Sequence, residues 1–151
     1  MPYVDTVIFD EENHMFSISK SFSFCYGHRL LGDEGKCRHL HGHTAHVIIS
    51  LRAECLDSNG MVFHFDRLKA TVGKWIEENL DHAMLLSKDD PAVDALRGIG
   101  ERIFVMDGNP TAENIAKLVH DRANVEGMPV SSVEMWESDT SKVIYNKSED
   151  R

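Results

Sequence analysis

Cys37-Arg38-His39-Leu40-His41-Gly42-His43-Thr44-Ala45-His46-Val47-Ile48-Ile49-Ser50-Leu51-Arg52-Ala53 begins as a cluster of imidazoles beside a thiol and continues as a strand. From Ala45, apolar Val47, Ile49, Leu51 and Ala53 alternate with His46, Ile48, Ser50, Arg52 and Glu54. That period of two marks a strand with one buried face. At the mouth of the strand His41 and His43 lie two apart, so their rings share a face, and Gly42 lets the backbone pass close to a neighbour. Neutral imidazole is a common ligand for zinc, and a pair supplies half of a tetrahedral shell. A bare His-x-His also fits a solvated polar loop, so its meaning depends on the rest of the chain.

Upstream, Phe16, Ile18, Phe22 and Phe24 alternate with Ser17, Ser19, Ser21 and Ser23, with Lys20 on the apolar side. This is a second period-two segment, continued by Cys25-Tyr26-Gly27-His28-Arg29-Leu30 and ended by the loop Gly32-Asp33-Glu34-Gly35. The two strands are expected to pair antiparallel, which brings His28 at the end of one beside His41 and His43 at the start of the other. Three histidines leave the fourth position of a zinc ion open, as catalytic sites do. With Cys37 as a fourth ligand the site is instead closed and structural.

Downstream, Phe65, Leu68, Val72, Trp75, Ile76 and Leu80 follow the spacing of an amphipathic helix, with Gly73 as a weak point and Asp81-His82 at its end. Residues 83–109 carry little pattern: Asp89-Asp90-Pro91 can cap a short helix through Leu96, and Arg102–Met106 can form a short strand. Thr111 reads as an N-cap with Asn114 three positions on. Ile115, Leu118, Val119 and Ala123 form the apolar face of a second helix, stopped by Gly127 and Pro129. Strands are expected over Ser131–Glu137 and Lys142–Asn146. Residues 1–14 read as an arm or an edge strand, and 147–151 as a loose tail. The expected architecture is a single α+β domain, a four-stranded antiparallel sheet with two helices on one face.

The 151 residues suffice for one core. The formal charge of −9 argues against broad nucleic-acid or anionic-membrane binding, although Arg29, Lys36 and Arg38 gather near the imidazoles. Three cysteines, an odd number, suit reduced thiols better than a disulfide framework. No apolar run approaches a bilayer span, and the start of the chain lacks the flank and core of a signal peptide. A cytoplasmic location is the expectation.

Three further positions can carry chemistry. Asp81 can fix the tautomer of His82 if the side chains meet; the plainer reading is a favourable His at a helix C-terminus. Glu137, after Trp136 at a strand end, is a candidate ligand-binding group or a solvated edge carboxylate. Glu113 in a first helical turn is explained by the helix dipole alone.

Taken in order, Phe24-x-x-x-His28-Arg29-Leu30, Cys37-x-x-x-His41-Gly42-His43, Leu68-Lys69, Leu80-Asp81-His82, Pro110-Thr111-x-Glu113, Glu137-x-x-Thr140 and Tyr145 resemble the 6-pyruvoyltetrahydropterin synthase / 6-carboxytetrahydropterin synthase family over roughly residues 15–146. The resemblance implies a tunnelling fold (T-fold), whose sheets close into barrels as trimers that stack into a homohexamer with active sites between subunits. It implies a zinc cofactor (Zn2+) on His28, His41 and His43, with Cys37 as catalytic thiol and Asp81 and His82 as its partner dyad. It also implies a pterin triphosphate substrate held by Glu137, with Thr111 and Glu113 as further substrate-binding positions. A carboxylate suits the ring because it accepts two parallel hydrogen bonds from the 2-amino and N3–H edge. The three-residue gap between Cys37 and His41 resembles the carboxy-forming branch, which releases acetaldehyde and triphosphate. The pyruvoyl-forming branch, which only eliminates triphosphate, usually has one residue more.

Departures from the family pattern are Cys25-Tyr26-Gly27 in place of small residues, His64 in place of Asp, a longer 83–109 segment, and Asp139 with Ser141-Lys142 at the last turn. A cupin would want its Glu where Val47 and Ile48 stand, and a TIM barrel needs a longer chain.

Overall fold

The period-two segments become the two longest strands of the fold, β1 (Phe16–His28) and β2 (His41–Ala53). The computed structural model describes residues 14–146, so the expectations for residues 1–13 and for the 147–151 tail lie outside the described residues. β1 and β2 pair antiparallel over their whole length, with Phe16 opposite Ala53 and His28 opposite His41. Phe24, Tyr26, Ala45, Val47, Ile49 and Leu51 turn to one buried face. Serines occupy the other face, where the Ser19 and Ser50 hydroxyls meet at 2.8 Å.

The helical stripe divides into α1 (Phe65–Leu68) and α2 (Lys74–Asn79), joined by a π-helical turn, Lys69–Gly73. Leu68, Val72, Ile76 and Leu80 are buried against the sheet, whereas Phe65 stays about half exposed (48%). His64 caps the entry, its Nδ1 accepting from the Asp66 N–H at 3.2 Å, a task an Asp would also perform. Gly73 is less a weak point than a point of close approach, since a Cβ there would stand 2.5 Å from the Phe22 ring.

The sheet has six strands among the described residues, in the order β4-β3-β1-β2-β5-β6, and is mixed rather than four-stranded and antiparallel. The additional strands come from the segment with little pattern: β3 (Ala83–Ser87) runs parallel to β1, and β4 (Ile103–Met106) parallel to β3. β3 is a short run buried on nearly all positions, and such parallel strands show no alternation from which to read them. α3 (Ala92–Gly98) lies between them. α4 (Ala112–Val125), β5 (Val130–Ser138) and β6 (Ser141–Tyr145) follow the expected order. Ile115, Ala116, Val119 and Ala123 of α4 join Leu68, Val72 and Ile76 in a single core on one face of the sheet.

Candidate metal centre

Pairing His28 with His41 places both at one end of the β1–β2 ribbon, and alternation puts His43 on the same face beside Tyr26. β3 flanks β1 on its other side, pairing Leu85 with His28, so His28 lies inside the sheet and is only 2% exposed. The tight ribbon depends on Gly42, where a Cβ would come within 3.0 Å of the Tyr26 carbonyl oxygen. The neighbour that the glycine admits is thus the adjacent strand's backbone.

The protons of two rings are placed by backbone acceptors. His28 Nδ1 lies 2.7 Å from the Pro110 carbonyl oxygen, and His41 Nδ1 lies 2.6 Å from that of His39. A carbonyl can only accept, so each Nδ1 carries the hydrogen and Nε2 of the neutral ring presents a lone pair. Burial lowers the His28 pKa, against the bond to Pro110, which favours that neutral ligand form. The Nε2 atoms of His28 and His41 lie 3.0 Å apart, and those of His43 and His28 3.2 Å. Two nitrogens bound to one tetrahedral ion at ~2.0–2.1 Å stand roughly 3.3 Å apart. The spacing therefore fits a shared cation, and lone pairs facing one another have no hydrogen to share without one. Among the described residues these three histidines form the only such group of mutually close ligand atoms.

The triad opens into a cleft of about 440 Å³ that Cys37, Thr111, Glu113, Glu137, Ser141 and Lys142 also line. Cys37 sits on a 3₁₀ turn, Lys36–Arg38, with its carbonyl accepting from the Leu30 N–H at 2.8 Å. Its thiol is free and exposed and is not part of the close ligand group. Thr111 caps α4, its hydroxyl accepting from the Asn114 N–H at 3.2 Å. The capping is not reciprocal, because the Asn114 amide instead donates to the Asn109 carbonyl oxygen at 2.8 Å. Asn109 in turn exchanges two bonds with the Leu31 backbone, at 2.8 and 2.9 Å. This pins the loop that carries Pro110 over His28.

Glu137 continues the buried alternation of Val133 and Met135, and the β5–β6 register shifts between Trp136 and Ser138, leaving it without a ladder partner. Such irregularities re-aim a side chain. Its Oε1 accepts from the Tyr26 hydroxyl at 3.1 Å and lies 3.6 Å from Nε2 of both His28 and His43. Burial, with the Glu137 charge and hydrogen bond, pushes the Tyr26 phenol far up, so it stays a donor. The sequence assigned no role at the site to Tyr26 or Pro110. An aromatic among the core positions of a strand gives no sign of a polar partner, and a carbonyl acceptor leaves none in any side chain.

Asp81 and His82 do meet, with Oδ2 and Nδ1 2.9 Å apart. Asp81 Oδ1 also accepts from the Cys25 N–H at 2.9 Å, and the His82 N–H donates to the Cys25 carbonyl oxygen at 2.7 Å. Burial raises the Asp81 pKa, but the bonds from Cys25 and His82 outweigh it and the net shift is downward. His82 adopts φ 55°, a left-handed conformation rare for a residue with a side chain. Its imidazole is 77% exposed. The dyad is therefore formed, but it does not line the cleft of the triad. His82 borders a second concavity with Cys25 and Thr44, which Tyr26, His41 and His43 also line. Within one chain the fold brings six of the candidate residues to the triad cleft besides His28 itself, and leaves Asp81 and His82 apart from it.

The described residues include no helix long and apolar enough to cross a membrane. The family model for 6-pyruvoyl tetrahydropterin synthase matches residues 17–148. A 6-carboxy-5,6,7,8-tetrahydropterin synthase of Rickettsia felis is 39% identical over 104 residues, covering 68% of this chain and 75% of its own. One of Haemophilus influenzae is 33% identical over 141 residues, covering 88% and 100%. An uncharacterized protein of Wolinella succinogenes superposes with a TM-score of 0.74 at 30% identity, over 89% of this chain and 99% of that one. The 6-pyruvoyl tetrahydropterin synthase of Caenorhabditis elegans, at 22% identity and a TM-score of 0.68, shares the fold over 89% and 97%. The ordered motifs, the strand and helix order and these likenesses agree: the chain belongs to the 6-pyruvoyl tetrahydropterin synthase family.

Proposed function

We infer that the chain is a zinc-dependent lyase that converts 7,8-dihydroneopterin triphosphate to 6-carboxy-5,6,7,8-tetrahydropterin, releasing acetaldehyde and triphosphate. The observation that carries this reading is the convergence of three imidazole Nε2 atoms in a cleft that Cys37 and Glu137 also line. The names of the Rickettsia felis and Haemophilus influenzae relatives support the carboxylated product, as does the Cys37-x-x-x-His41 spacing. His28, His41 and His43 would hold the zinc, which would supply Lewis-acid polarisation to the substrate's side-chain oxygens.

The protein groups divide the remaining work. Glu137 accepts the 2-amino and N3–H edge of the pterin, which orients the side chain toward the imidazoles. Thr111 and Glu113, at the start of α4 and lining the same cleft, contact the substrate. Cys37 and His82 move protons at the side-chain carbons, and Asp81 holds the His82 Nδ1–H so that Nε2 faces the reacting atoms. Because the dyad does not line the triad cleft of its own chain, we assign it to the cleft of a neighbouring subunit. The working enzyme is then a cytoplasmic homo-oligomer, a dimer of trimers, with each site built by two chains.

Incubation with 7,8-dihydroneopterin triphosphate and assay of acetaldehyde tests the reaction. Acetaldehyde and triphosphate in equal amounts are expected, and triphosphate without acetaldehyde would move the chain to the pyruvoyl-forming reaction. A non-catalytic zinc module with Cys37 as fourth ligand predicts a thiol that reacts only after chelation. The present reading predicts a thiol that is reactive with the metal in place.

A further inference from the structure

Glu137 presents a problem that the proposed function leaves open. Its Oε1 is 3.6 Å from Nε2 of both His28 and His43. An oxygen and a nitrogen bound to one tetrahedral zinc ion stand roughly 3.4 Å apart. The carboxylate is therefore within easy reach of the metal, for which it is a good ligand, and binding there would close the position that substrate needs. Yet it stands beside the ligand group rather than in it.

What holds Oε1 is the Tyr26 hydroxyl, donating at 3.1 Å. Tyr26 is 3% exposed, and its ring is boxed by Phe24, His28 and His43 at centroid distances of 5.6, 5.1 and 5.7 Å. The packed ring thus fixes the phenol oxygen beside Glu137. Glu137, unpartnered in the β5–β6 ladder, depends on that bond for its placement. A hydrogen bond to a carboxylate contributes about 1.5–3 kcal/mol, enough to bias a side chain between two nearby resting places.

We propose that Tyr26 is a positioning residue that latches the Glu137 carboxylate away from the metal, keeping the fourth coordination position open and leaving both carboxylate oxygens able to accept from the pterin edge, Oε1 through its second lone pair. The inference rests on the metal-site reading above.

Cobalt(II) serves as a spectroscopic probe of the site. Tyr26→Phe keeps the packed ring and removes only the hydroxyl. Its expected consequences are cobalt binding about tenfold tighter than in the parent protein, a changed visible spectrum, and loss of the parent's spectral response to added azide as Glu137 takes the open position. The double variant Tyr26→Phe/Glu137→Gln should regain the parental affinity and azide response. Glu137→Gln alone should leave the cobalt spectrum as it is, which keeps the test alive should Tyr26→Phe not fold. Unchanged affinity, spectrum and azide response in Tyr26→Phe would overturn the latch, as would a shifted spectrum in Glu137→Gln alone. A parent protein whose cobalt binding does not depend on His28 would overturn the metal-site reading itself, and the latch with it.

Discussion

His28 is held by three different parts of the chain: β2 through His41, β3 through Leu85, and the loop before α4 through the Pro110 carbonyl oxygen. Replacing it with Ala removes one ligand and the ring that orders the others, so His28→Ala should lose most bound zinc by elemental analysis. Cys37→Ala should behave in the opposite way, keeping fold and metal while turnover falls by roughly 100-fold or more; full activity would remove Cys37 from the mechanism. The next residue, Arg29, pairs with the buried carboxylate of Asp90. Its Nε donates to Asp90 Oδ2 at 2.7 Å, its second bond is to Oδ1, and the Asp90 side chain is wholly buried. The Arg29 guanidinium holds the Asp90 carboxyl below its ordinary range against the opposing effect of burial. A carboxyl with a lower pKa in the folded state contributes stability that is present above its unfolded value of ~3.9 and is lost as the pH falls through the folded one. Arg29→Met should therefore cost about 3 kcal/mol at neutral pH, and denaturant titrations should show the difference from the parent shrinking toward pH ~2. The histidines of the candidate metal site were legible from type and spacing. Tyr26, Pro110 and Asp90 were not legible in their roles, because each acts through a contact made only after distant segments meet.

At the scale of elements, Gly73 shows how local propensity and packing oppose one another. Exchange of a helical Gly for Ala ordinarily stabilises by about 1 kcal/mol. Here the new Cβ would stand 2.5 Å from Phe22 Cε1, and overpacking of that kind costs about 1–3 kcal/mol. Gly73→Ala should thus lower the thermal midpoint, and Phe22→Leu in the same chain should recover part of the loss; a raised midpoint in the single variant would show that the π-helical turn yields freely. The clash also explains why α1 and α2 were legible as a stripe but not as an interrupted helix, since the interruption faces a strand more than forty positions away. β3 went unread for a different reason. Ala83-Met84-Leu85-Leu86 is covered on both faces by the fold, and a strand without a solvent face carries no period-two signal.

Among the described residues β4 and β6 are the edges of the sheet, and unpaired edges invite further strands. A ring of subunits would satisfy them and, on the proposed function, would bring the dyad to a neighbour's cleft. Chains carrying Cys37→Ala and chains carrying His82→Ala should each be inactive. If every site draws Cys37 from one chain and His82 from its neighbour, an equal mixture refolded together should regain about a quarter of the parental activity by random assortment around the ring. No recovery in mixed oligomers verified by native mass spectrometry would place both residues in one chain.

The alternation of β1 and β2, the stripes of α1, α2 and α4, the grouping of His28, His41 and His43 and the family itself were all determined by the sequence, because each is written in residue type at fixed local spacing. The tertiary structure decided which way those groups face and what they touch. It added β3 to the sheet and set the short strand expected over Arg102–Met106 beside it as β4, tied Glu137 to Tyr26, joined Asp81 to His82, and left that dyad outside the cleft that Cys37 and Glu137 line. Such relations depend on distances between segments that are remote along the chain. Periodicity reports the burial of a face, and only folding brings the partner that the face is buried against.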